Sequence, residues 1–101
     1  MIVIHASFPV DPDERERAIE HMQELAEHSR EEDGVIEYEV AADLDDPNVF
    51  RFTERYEDEA AFGAHSQTEH FGEFAALLPE FLAGEPEIMR YDVESASEVE
   101  L

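Results

Sequence analysis

The spacing of apolar residues changes along the chain, and the order of the two spacings restricts the fold. Four stretches alternate apolar and polar residues, which is typical of strands with one buried face. Two longer stretches repeat their apolar residues every three or four positions, which is typical of helices. The strands are expected at residues 2–8, 35–44, 49–57 and 87–95, and the helical stretches at 13–31 and 59–82. The order βαββαβ predicts an α+β, ferredoxin-like fold, in which the helices cover one face of a four-stranded antiparallel sheet.

Turn and capping residues set the predicted boundaries. Asp33-Gly34 should end the first helix, with Gly34 in the left-handed conformation. Asp58 is a candidate N-cap for a short helix, and the segment from Ser66 to Glu69 has the spacing of a capping box that would begin a new helical segment. Pro79 is expected to kink the end of that segment. Residues 1–94 are therefore the predicted domain, and residues 95–101 an acidic C-terminal tail.

The sheet face away from the helices has no cover within a chain of 101 residues. Some apolar residues of the four strands should lie on that face, because each strand alternates between its two sides. Packing two such sheets face to face would bury these residues. The sequence therefore predicts a homodimer with the architecture of a dimeric α/β barrel.

The charge of the chain is strongly negative, with 28 acidic residues against six arginines and a net charge of −22. This balance excludes a nucleic-acid binder, which needs a basic stripe, and disfavours an anionic membrane surface. Salt screens self-repulsion of this size, so we expect a protein adapted to a high-salt cytoplasm, as haloarchaeal proteins are. The chain has no cysteine, and no stretch is apolar enough for a signal peptide or a membrane span. The expected location is the cytoplasm.

The segment ERYEDEAAFGAHSQTEHF, residues 54–71, contains the candidate chemical groups. Glu54 shares its strand face with three aromatic residues. A carboxylate among aromatic rings has a raised pKa unless a cation pairs with it, and such a group can act as a general base near neutral pH. The alternative is a buried acid that a neighbouring arginine, tyrosine or histidine satisfies, with no chemical role.

Two histidines of this segment, His65 and His70, are candidate ligands or proton carriers. They are five positions apart, or about 140° around one helix, so an unbroken helix would not direct both at one ion. A break near Ser66 would allow the two rings to converge. The favoured interpretation is that there is no metal site. His65 is then a helix-end or catalytic histidine, and His70 a pocket or surface residue.

The sequence FRFTERYEDEAAFGAHSQTEHFGEF, residues 50–74, resembles the antibiotic biosynthesis monooxygenase family, including its quinol monooxygenase branch. The similar features are Glu54-x-Tyr56 at a strand end, Asp58 at the start of a short helix, and then Ala61-Phe62, His65, Thr68, His70 and Phe71. The resemblance implies a ferredoxin-like dimer with a pocket between helices and sheet. It also implies oxidation of a quinol-like or polycyclic phenolic aromatic by O₂, without metal, flavin or haem.

The resemblance further implies roles for individual residues. His65 matches the family histidine and is the expected base or proton relay, and Glu54 is expected to orient it or share its proton. The residues expected to contact a small apolar aromatic substrate are Tyr38, Tyr56, His70, Phe71 and Phe74. The first three would donate to the substrate's oxygens, and the two phenylalanines would form a wall.

Two departures from the family pattern bear on the activity. The chain has no tryptophan, and its one asparagine, Asn48, lies in a predicted turn instead of the first strand. Haem cleavage is therefore not expected. The alternative function is a non-catalytic dimeric module of the same fold that binds a small ligand or takes part in a stress response.

Overall fold

The computed structural model describes residues 1–101 and has the predicted order of elements. The strands are β1 (Ile2–Pro9), β2 (Val35–Ala42), β3 (Val49–Tyr56) and β4 (Glu87–Asp92). The helices are α1 (Arg15–Arg30), α2 (Glu59–Ser66) and α3 (Glu69–Phe81), and a 3₁₀ turn at Pro12–Glu14 precedes α1. The sheet order is β2-β3-β1-β4, and every neighbouring pair is antiparallel. The predicted α+β, ferredoxin-like fold is confirmed.

Two of the predicted helix boundaries are confirmed. Gly34 has a φ of +83°, in the left-handed region that favours glycine. Asp58 caps α2, because its carboxylate accepts a hydrogen bond from the backbone N–H of Ala61 at 2.9 Å. Gly34 directly precedes β2, and Asp58 directly precedes α2.

The N-cap of α3 is Thr68, two residues later than Ser66, which the predicted capping box would have placed there. Ser66 is the last residue of α2, and its hydroxyl donates to the carbonyl oxygen of Phe62 at 3.2 Å. Thr68 is the N-cap of α3 instead, accepting from the backbone N–H of Phe71 at 3.3 Å. Pro79 lies inside α3. The break allows residues on either side of it to approach one another, and the ring centroids of His65 and His70 are 6.3 Å apart.

The core lies between the helices and one face of the sheet. Alternate residues of β1 and β3 point to this face, and their registers place them in opposed pairs. These pairs are Ile2 with Tyr56, Ile4 with Glu54, Ala6 with Phe52, and Phe8 with Phe50. Because side chains alternate between the two faces of a strand, Glu54 points into the core together with Phe52 and Tyr56.

The other sheet face is partly apolar. Val3 is paired with exposed Tyr91, and His5 with exposed Met89. Charged side chains such as Arg51 and Arg55 share the same face. Residues 93–101 contain no helix or strand. None of the three helices combines the length and the apolar character that crossing a bilayer requires.

Candidate active site

A cavity of about 220 Å³ lies between the sheet and the helices. Its polar lining side chains are Tyr38, Glu54, His65 and Ser66. The apolar lining consists of Ile4, Ala6, Phe8, Leu25, Phe52, Phe62, Phe71, Phe74 and Ile88. Sites for drug-sized molecules usually measure about 300 to 1,000 Å³, so a ligand of this cavity must be smaller than most of those.

Glu54 is held at the centre of the sheet, between Ile4 of β1 and Tyr38 of β2. It is 7% exposed, and its Oε1 accepts a hydrogen bond from the Tyr56 hydroxyl at 2.6 Å. Burial raises the pKa of Glu54 to about 7; the Tyr56 hydrogen bond lowers it, and the nearby charge of Glu32 adds to the increase. A carboxyl group with this pKa can both accept and release a proton near neutral pH.

The two tyrosines near Glu54 have different positions. Burial, together with the charge of Glu54, raises the pKa of Tyr38 and of Tyr56 above the ordinary tyrosine value, so both hydroxyls keep their protons. Tyr38 lines the cavity, as expected for a residue that contacts a substrate. Tyr56 is fully buried outside the cavity lining, and its hydroxyl is used to hold Glu54.

His65 reaches the core because α2 turns Ala61 and His65, four positions apart, towards it. The imidazole is 2% exposed and is packed among Tyr38, Tyr56 and Phe71, with ring centroids 5.1 to 5.4 Å away. Its Nδ1 faces a carboxylate, whereas its Nε2 is buried without a hydrogen-bond partner. Nε2 is therefore the unpartnered nitrogen of a side chain that lines the cavity.

The carboxylate at Nδ1 belongs to Glu32, not to Glu54 as expected. Glu32 lies in the turn between α1 and β2, and its Oε2 is 3.0 Å from Nδ1 of His65. This turn packs closely on α2, since a Cβ atom at Gly34 would lie 2.6 Å from Cβ of Ala61. The glycine thus lets the turn approach near enough for Glu32 to reach the imidazole.

Glu32 was missed by the sequence analysis. It is one of 28 acidic residues and has no distinguishing neighbours in the sequence. The signal that could have revealed it is indirect, because a buried imidazole requires a partner for its N–H group.

His70 lies outside the cavity lining, although it was expected to donate to the substrate. Its Nε2 is 2.5 Å from Oε2 of Glu32, and its side chain is 25% exposed. The ring stacks on His28 with centroids 5.5 Å apart. His70 and His28 line a separate surface cleft of about 380 Å³ between α1 and α3, together with His21, Glu24 and Glu73.

The structure brings most of the predicted site residues to one place. Glu54, His65, Tyr38, Phe71 and Phe74 all line the cavity. The two phenylalanines form part of its wall, as proposed from the sequence. Tyr56 and His70 do not line the cavity. Tyr56 is hydrogen-bonded to Glu54, and His70 contacts Glu32.

One group of side chains could hold a metal ion. Glu32, His65 and His70 each offer a ligand atom, and the three atoms lie within 4.8 Å of one another. The two imidazoles converge because the chain breaks between α2 and α3. From the sequence, convergence was expected only if the helix broke near Ser66.

A small α+β domain that holds an imidazole and a carboxyl group in the lining of a mostly apolar cavity is suited to acid–base chemistry on a small molecule. Comparison with known proteins defines the family. Residues 1–77 match the family described as antibiotic biosynthesis monooxygenase. The chain belongs to this family.

Individual relatives cover almost the whole chain. "Putative monooxygenase YcnE" of Bacillus subtilis is 34% identical over 93 residues, which are 92% of this chain and 98% of that protein. A crystal structure of an antibiotic biosynthesis monooxygenase has a TM-score of 0.87 at 26% identity, covering 94% of this chain and all of that one. A conserved protein from Methanosarcina mazei has a TM-score of 0.85 at 31% identity, covering 89% of each chain.

Proposed function

We propose that the protein is a cofactor-independent monooxygenase that oxidises a quinol-like or polycyclic phenolic aromatic with O₂. The observation that carries the proposal is the buried, unpartnered Nε2 of His65 beside an apolar cavity. When Nδ1 donates its proton to the Glu32 carboxylate, the neutral imidazole has its lone pair on Nε2. This arrangement prepares Nε2 to act as a base.

The reaction can be written with the residues of the cavity. His65 Nε2 removes a proton from the activated CH₂ group of an anthrone-like substrate, and the delocalised anion passes one electron to O₂. The resulting radicals join through a C–O bond, and the peroxide formed takes the proton from His65. Loss of the second hydrogen from that carbon, with cleavage of the O–O bond, gives a carbonyl group and water. The substrate thus supplies all the electrons.

The other groups of the cavity support these steps. Glu54 is the proposed acceptor for the second proton, because its pKa of about 7 allows transfer in either direction. Tyr38 remains protonated and is the proposed donor to the oxygen of the substrate anion. The apolar walls favour a delocalised anion over a localised one and keep water from the radical pair.

The test is O₂ uptake by the purified protein in molar KCl, with anthrones, menadiol and other quinols as substrates. We expect uptake above the uncatalysed rate, and His65→Ala should abolish the enhancement. His21→Ala is the matched control, since His21 lies in the surface cleft outside the cavity. Activity that survives His65→Ala would refute the assignment of the base. Binding of an aromatic without any O₂ uptake would favour the non-catalytic ligand-binding function.

We further propose that the working form is a homodimer in a high-salt cytoplasm. Only 19 of 101 residues are buried in the single chain, and the outer sheet face exposes Met89 and Tyr91. A partner sheet on this face would bury them. The net charge of −22 favours an environment rich in salt. Sedimentation in molar KCl tests the assembly, and a monomer at all accessible concentrations would refute it.

A further inference from the structure

We propose that Glu32, His65 and His70 form a binding site for a divalent transition metal such as Zn²⁺ or Co²⁺, and that a metal bound there switches off the base. The first part stands on the geometry of the three side chains. The second part rests on the proposed function, because it concerns the role of His65 Nε2.

The donor set is of the right chemical kind. Two imidazole nitrogens and one carboxylate oxygen are ordinary ligands for Zn²⁺ and its neighbours in the transition series. Oε2 of Glu32 is 3.0 Å from Nδ1 of His65 and 2.5 Å from Nε2 of His70. Around a tetrahedral ion with bonds of about 2.0 Å, ligand atoms are about 3.3 Å apart. These two separations are within about 1 Å of this value, and all three ligand atoms lie within 4.8 Å of one another, so side-chain movements of about 1 to 1.5 Å would admit an ion.

The three ligands are held by separate parts of the fold. Glu32 comes from the turn after α1, His65 from the end of α2, and His70 from the start of α3. The packing of His65 among aromatic rings fixes its orientation. Because two of the three ligands lie on helices and the third is already hydrogen-bonded to them, the site loses little conformational freedom when the ion binds.

The surface cleft between α1 and α3 gives an ion access to this group. His70 is at once a candidate ligand and a member of the cleft lining, which also carries two imidazoles and two carboxylates: His21, His28, Glu24 and Glu73. Glu32 and His70 are partly exposed, so water can complete the coordination. The negative charge of the whole chain raises the local concentration of cations.

A bound metal would change which nitrogen of His65 carries the proton. Without metal, Nδ1–H donates to Glu32 and Nε2 is the unprotonated nitrogen. A metal occupies the Nδ1 lone pair, and a neutral imidazole then keeps its single proton on Nε2. Nε2 then becomes a donor instead of a base. Metal binding should therefore inhibit the proposed oxygenation, and a chelator should restore it.

The binding test uses the full chain after treatment with a chelator, in molar KCl to screen the exposed acids. Isothermal titration with Zn²⁺ should show one equivalent bound, and Co²⁺ should give a visible spectrum different from that of the hydrated ion. His70→Asn and Glu32→Gln should each weaken binding at least tenfold, whereas His5→Asn, on the outer sheet face, should not. His70 is partly exposed, so its variant should fold even where Glu32→Gln does not. The proposal is overturned by the lack of a stoichiometric site, or by equal binding in the His70→Asn variant.

The tautomer test needs no substrate. Nitrogen-15 NMR of the histidine rings should show the His65 proton on Nδ1 in the metal-free protein and on Nε2 after Zn²⁺ is added. A proton that stays on Nδ1 would refute the switch. The two proposals can fail separately, because absence of O₂ uptake leaves the metal titration unaffected. An active enzyme that Zn²⁺ does not inhibit at saturation would overturn only the regulatory role.

Discussion

The substitution Glu54→Gln should stabilise the protein, and its effect should depend on pH. Burial favours the protonated form of Glu54, so the folded protein binds this proton more tightly than the unfolded chain does. The stability of the wild type is therefore reduced as pH rises from the ordinary glutamate value of 4.5, and the loss is complete above the folded-state pKa of about 7. Glutamine has nearly the same shape, can accept the Tyr56 hydrogen bond, and never ionises.

The size of the effect follows from the two pKa values. Moving the pKa of one group from 4.5 to about 7 corresponds to about 3 kcal/mol, at about 1.4 kcal/mol per pH unit. Most of this difference develops between about pH 5 and about pH 8.5. The stabilisation by Glu54→Gln should therefore be about 2.5 kcal/mol larger at the higher pH than at the lower one. Urea unfolding in molar KCl, followed by circular dichroism at one protein concentration, measures this difference.

A second variant separates this effect from the general removal of negative charge. Glu57→Gln removes one exposed charge just beyond the end of the same strand, and it should change stability little and almost equally at both pH values. The reasoning about Glu54 is refuted if Glu54→Gln behaves like Glu57→Gln. It is also refuted if Glu54→Gln destabilises the protein more at high pH than at low pH.

Three further predictions follow from the fold and its charge. Tyr56→Phe removes the hydrogen-bond donor to Glu54. It should lower the free energy of unfolding by about 1.5 to 3 kcal/mol near pH 8.5 and by less near pH 5. Equal losses at the two pH values in urea unfolding would contradict this. Gly34→Ala should lower the stability by at least about 1 to 3 kcal/mol, because Gly34 has a positive φ and lies against α2. Gly72 has open space around it, so Gly72→Ala should be neutral or stabilising. Similar thermal melts for the two variants would contradict this. The melting temperature should rise from about 0.1 M to molar KCl, and an unchanged value would contradict the adaptation to salt.

Most of the fold could be predicted because it depends on local periodicity. The alternation in β3 and the helical stripe of α1 are visible within ten to twenty residues, and they place each element and its buried face. The ends of the elements were less certain. The start of α3 depends on whether Ser66 or Thr68 caps it, and both have the required side chain. Tertiary packing determines which of the two residues caps α3, and this packing cannot be inferred from the local sequence.

The candidate site could be predicted only in part, for the same physical reason. Strand alternation placed Glu54 among aromatic rings, and the family resemblance selected His65. The partner of His65 is Glu32, which lies 33 positions away and meets it only through the packing of a turn on α2. The position of His70 depends on the angle between α2 and α3. Contacts of this kind are set by the assembled fold, and no periodicity encodes them.

The two acidic residues of the site have different surroundings, and this difference separates their proposed roles. Glu32 lies beside two imidazoles in a partly exposed turn, so N–H donors hold it in place and it can orient His65. Glu54 has a single O–H donor in an apolar environment, so its pKa is raised and it can exchange a proton. In the proposed mechanism, one glutamate thus positions the base and the other transfers a proton. The fold achieves this by the number of donors that it supplies to each carboxylate and by the depth at which each is buried.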